Sequence, residues 1–76
     1  MFNFSANNLV WLKTIKYEKC NVHILKDSDT KRSYKIYDYS KNMEFNLEKV
    51  YCVSGKVNSA DKLYLIAEKY KESKRP

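Results

Sequence analysis

Cys20-x-x-His23 is the one place where two soft metal ligands stand close together in this sequence, with Cys52 as a distant third. A structural zinc site takes four ligands, usually with a pair converging on a turn. Cys20 and His23 fall in a segment that alternates like a strand, where an offset of three sends side chains to opposite faces. There is no fourth Cys or His. Two reduced thiols and a histidine at a strand surface are the expectation, with no metal and no other cofactor.

His23, Lys31, Arg32 and Tyr37 are the residue types with which small basic ribonucleases of the toxin kind work, cations stabilising the phosphorane while one group acts as general base. Two arginines are few for clamping a phosphate, however. Neither a Gly-rich phosphate loop nor a nucleophilic Ser or Cys in a recognisable setting is present. The chain is therefore expected to bind rather than to catalyse.

Lys31, Arg32, Lys35, Tyr37 and Tyr39 offer a different chemistry. Cations gain phosphate affinity by releasing counterions, and aromatic faces stack on unpaired bases, so this set on one hairpin face suits single-stranded or flexible nucleic acid. The plainer reading makes the tyrosines cross-strand packing residues and the lysines a solvated edge. Lys13 and Lys16, with Lys19, form a second basic stripe that can add backbone contacts or simply be an exposed polar face. Trp11, Phe2 and Phe4 are the alternative anchor. With Tyr51 they would form an exposed aromatic patch for a host protein, the mode of an inhibitor carried by a phage or other mobile element. In so short a chain the single tryptophan serves more often in the core.

The elements that must position these residues read as α+β. Ser5 can cap a helix over residues 6–17, with Phe4 and Leu9 as its hydrophobic staple and Leu9, Trp11, Leu12 and Ile15 inward. A strand alternating Leu9, Trp11, Ile15 and Tyr17 competes, but Lys13 interrupts it. Cys20 to Lys26 and Ser33 to Tyr39 form a hairpin around Asp27-Ser28-Asp29-Thr30, with Tyr34 and Ile36 on one face and Lys35, Tyr37 and Tyr39 on the other. After a turn at Ser40-Lys41-Asn42, Phe45 and Leu47 open a further strand. Its phase slips near Glu48 and Lys49, and Gly55 marks its end. Asn58 as cap, Asp61 at N3, and Ala60, Leu63, Tyr64, Ala67 and Tyr70 on one face predict a helix over 59–72. The expected order is N-terminal helix, three- to four-stranded antiparallel sheet, and C-terminal helix packed on the sheet, with a frayed basic tail over 73–76.

Seventy-six residues allow one domain, because a chain this short buries only about 60% of its unfolded surface. A homodimer is one way to enlarge so small a core. The net charge of +6 suits an anionic partner. Thirteen lysines, seven asparagines and one glycine are also what an AT-rich genome would produce. No apolar leader and no membrane-length apolar run is present. With two cysteines, this points to a reducing, cytoplasmic setting and no membrane partner.

The stretch from Leu9 to Leu47 resembles the Sm and Hfq-like RNA-binding fold. The comparable pieces are Leu12 to Glu18 as a short N-terminal helix, Val22-His23-Ile24-Leu25 as a V-x-I strand, Asp27 at a turn, and Tyr34 to Asp38 as a bent strand. The stretch covers about half the chain, has Ser33 near the place of the bending glycine, and leaves the C-terminal helix as an addition. The resemblance implies RNA binding and assigns no site residues.

Overall fold

The computed structural model describes residues 2–58 and 64–74, and these are all-β. Five strands, β1 (Phe2–Lys16), β2 (Asn21–Asp27), β3 (Ser33–Asp38), β4 (Lys49–Asn58) and β5 (Tyr64–Lys74), close into a barrel in the order β1-β2-β3-β5-β4. Every pairing is antiparallel except β3 with β5. The α+β expectation is thus wrong at both ends of the chain, while the central hairpin of β2 and β3 is present with Asp27 to Thr30 at its turn.

The N-terminal helix fails because Lys13 does not interrupt a strand. It follows a bulge. Trp11 stands opposite Leu25 and Lys13 opposite Ile24, so Leu12 is an extra residue that reverses the phase of β1. Leu9, Trp11 and Thr14 then face inward, and Val10, Lys13 and Ile15 outward. Ser5 pairs with Ser54 and Phe4 with Gly55, so neither cap nor staple forms, and the short helix from Leu12 implied by the Sm-like resemblance is absent as well.

The same irregularity undoes the C-terminal helix. Ser54 stands opposite Lys69 but Gly55 opposite Ala67, which makes Glu68 the extra residue. Residues 64–74 are strand, including Ser73 and Lys74 of the expected tail, which pair with Val50 and Lys49. Ala60, Asp61 and Leu63 lie outside the described residues. Gly55 sits inside β4 instead of ending it. A Cβ there would lie 1.9 Å from the Ile66 carbonyl oxygen, so only glycine lets β5 close against β4 at the bulge.

β1 serves two neighbours, pairing with β4 through its first half and with β2 through its second. The bend falls at Asn8, whose φ of 56° suits a residue tolerant of the left-handed region. Its carbonyl accepts the Ser28 N–H at 2.9 Å and its side chain donates to Asp29 at 2.8 Å, which ties the β2–β3 turn to the bend.

Leu9, Leu25, Ile36, Tyr51 and Val53 form the core. The 39–48 connection, where Phe45 and Leu47 were expected to open a strand, is irregular and covers one mouth of the barrel. Phe45 packs on His23, Tyr51 and Tyr70 with ring centroids 4.6, 4.7 and 5.4 Å apart. The N–H groups of Glu44 and Asn46 donate to the hydroxyls of Tyr70 and Tyr51.

Candidate nucleic-acid interface

Cross-strand register fixes what the outer wall of β1, β2 and β3 presents, because partners on neighbouring strands share a face. Ile36 is fully buried, so Lys35 and Tyr37 beside it in β3 point away from the core. Through β2 they align into three rows: Val10 with Lys26 and Ser33, Lys13 with Ile24 and Lys35, and Ile15 with Val22 and Tyr37. No acidic residue stands in these rows. Three lysines flank the half-buried Ile24 and Ile15, with the half-buried Tyr37 at their side and Val22 between them only 3% exposed. Tyr17 and Tyr39, just past the ends of β1 and β3, are 55% and 57% exposed.

Lys31 and Arg32 are exposed at the far tip, in the β2–β3 turn. Lys31 Nζ donates to the Ser28 carbonyl at 2.8 Å, and Asp27 accepts the N–H groups of Asp29 and Thr30. Two carboxylates close by offset the charge of this tip. Of the sequence candidates, Lys13, Lys35 and Tyr37 are therefore brought onto one wall, with Tyr39 at its border and Lys31 and Arg32 at its opposite end. Lys16 is separated from them. It lines a cleft at the covered mouth of the barrel.

That cleft, of about 410 Å³, is bounded by Trp11, Lys16, Asn21, Lys41, Glu44 and Phe45, with Thr14, His23 and Met43 at its base. A directed chain of hydrogen bonds underlies it. Trp11 Nε1 donates to Thr14 Oγ1 at 2.9 Å, and Thr14 Oγ1 meets His23 Nδ1 at 2.8 Å. The Asp38 carboxylate only accepts, so Nε2 carries a hydrogen and donates it to Asp38 Oδ2 at 3.1 Å. In the neutral ring Nδ1 then accepts from the Thr14 hydroxyl, whose oxygen accepts from Trp11. This assigns the tautomer from its partners. Burial works to raise the Asp38 pKa, but the Ser40 hydroxyl, His23 and the Met43 N–H together outweigh it and hold the carboxyl below its ordinary value.

His23 was expected at a strand surface, yet it is 1% exposed and faces the barrel interior. Tyr37 faces outward, and Lys31 and Arg32 are at the turn, so the four residues of the ribonuclease reading do not converge. Cys20 is buried and Cys52 exposed, both free thiols. Among the described residues no three of His, Cys, Asp and Glu are grouped to hold a metal. Of the aromatic anchors, Tyr51 is core, Trp11 is half-buried and Phe2 is exposed. Among the described residues no helix is long and apolar enough to cross a membrane.

No protein family model, no curated protein and no solved structure matches this chain. Lys26, Tyr17 and Asn21 were missed in the sequence. Lys26 was legible from the period-2 pattern of β2, and Tyr17 once β1 is a strand; Asn21 carries no sequence signal.

Proposed function

We propose that this is a small non-catalytic nucleic-acid-binding protein whose outer β1–β2–β3 wall holds a single-stranded or flexible strand. The observation that carries this is the row Lys13–Ile24–Lys35 lying directly beside Ile15–Val22–Tyr37 with no carboxylate among them. Lys13, Lys26 and Lys35 contact phosphates, while Tyr37, Tyr39 and Tyr17 provide ring faces for bases. Lys31 and Arg32 extend the track at the tip, weakened by Asp27 and Asp29. Support also comes from architecture. The five-stranded Greek-key barrels of the oligonucleotide- and oligosaccharide-binding class receive ligands on the face of their second and third strands. That is analogy at the level of fold, and the residues on the wall decide the matter. Two free thiols fit a reducing cytoplasm as the setting.

Fluorescence anisotropy with labelled single-stranded RNA, single-stranded DNA and duplex DNA tests this directly. At low salt a single-stranded form binds at micromolar concentration or tighter, and affinity falls steeply towards about 0.15 M salt. Binding absent at low salt for all three sinks the proposal.

A further inference from the structure

The cleft at the covered mouth holds one side chain that the fold itself does not use. Asn21 is only 8% exposed, yet its amide makes no hydrogen bond to the described residues. Every fully enclosed side-chain N or O atom of the described residues has a partner, so the amide must reach accessible space, and the accessible space it lines is the cleft. An amide that opens onto the cleft is hydrated there and offers one donor and one acceptor, side by side and uncommitted to the fold, for a ligand to take over from water. Around it stand Trp11 and Phe45 as aromatic walls and the exposed Lys16, which has no ion-pair partner among the described residues.

We propose that this cleft binds a single nucleotide, with the base edge read by the Asn21 amide, the ring against Trp11 or Phe45, and the phosphate on Lys16. An amide matches the adjacent donor and acceptor of adenine best, so adenine is the preferred base. A cleft of about 410 Å³ is of the size that encloses a small organic ligand. The nucleotide can be free or can be one residue of a strand that leaves the outer wall. The site is chemically separate from that wall, so it stands or falls without it.

Trp11 is the only tryptophan and forms part of the cleft, so its fluorescence reports occupancy without a label. The protein is titrated with the four nucleoside 5′-monophosphates, with inorganic phosphate, and with short oligoadenylate. Saturable quenching by adenosine monophosphate, weaker with the other bases and absent with phosphate alone, is expected if the source is a free nucleotide. Quenching by oligoadenylate only assigns the source to a strand. In either case Asn21→Ala and, separately, Lys16→Ala each weaken the response about tenfold. Lys13→Ala with Lys35→Ala leaves the mononucleotide response unchanged, which separates this site from the wall. Asn21→Ala loses no side-chain hydrogen bond to the described residues, and an unchanged thermal midpoint confirms its fold; Lys16→Ala is an exposed change that keeps the test independent of it. No quenching by any nucleotide, or quenching undiminished in both variants, overturns the proposal.

Discussion

At the scale of single residues, the Asp38 carboxylate is the most heavily committed group. It accepts from His23, the Ser40 hydroxyl and the Lys41 and Met43 N–H groups, and so joins β2, β3 and the start of the 39–48 connection. Asp38→Ala strands these donors, and urea unfolding should show a loss of about 3 kcal/mol. The pH dependence has a definite sign. Because the folded pKa lies below the ordinary value of 3.8, the Asp38 contribution is complete above that value and is lost as pH falls through the lower folded one. Acid titration of the native protein should therefore show a stability loss below about pH 4 that Asp38→Asn removes. Tyr39 is the opposite case. Exposed and outside the core, it should change stability by no more than about 0.5 kcal/mol on replacement by alanine. Single-strand affinity should drop in the same variant by about 1 kcal/mol if the ring stacks on a base, as anisotropy would show.

At the scale of elements, two bulges explain both what the sequence revealed and what it concealed. In an unbroken strand inward residues recur every second position. The extra residues Leu12 and Glu68 stretch one interval to three, so the inward residues run Trp11 to Thr14 and Ala67 to Tyr70. That spacing is the i, i+3 signature of a helix face. The β2–β3 hairpin carries no bulge, and its turn residues and alternation, including the outward Lys35 and Tyr37, are legible directly. Lys13 joins that wall only through the bulge, and Lys16 leaves it for the same reason. Deleting Leu12 would remove the extra residue and leave Trp11 inward, Lys13 outward and Thr14 inward in simple alternation. Cooperative unfolding should therefore survive the deletion with Lys13 still on the wall, and Leu12→Ser, at a residue 45% exposed, should likewise cost little. Gly55→Ala tests the second bulge. With 1.9 Å between the new Cβ and the Ile66 carbonyl oxygen, β5 must move, and chemical denaturation should register a loss of at least about 3 kcal/mol.

At the scale of the whole molecule, closure of the barrel converts a diffuse net charge of +6 into a local arrangement. Counting charges along the chain does not show this, because Lys13, Lys26 and Lys35 are neighbours only through the β1–β2 and β2–β3 registers. Closure also removes the free sheet edges that would otherwise invite strand addition. What the molecule presents to a partner is a side-chain wall and a mouth. The salt dependence of single-strand binding by the native protein and by Lys13→Ala/Lys35→Ala, compared at equal fold stability, is the most direct test of that account. Loss of two phosphate contacts should lower the slope of log affinity against log salt by about 1.4 and weaken binding alike for all sequences. An unchanged slope and affinity would place nucleic acid elsewhere on the barrel, or nowhere, and contradict the assignment of the β1–β2–β3 wall.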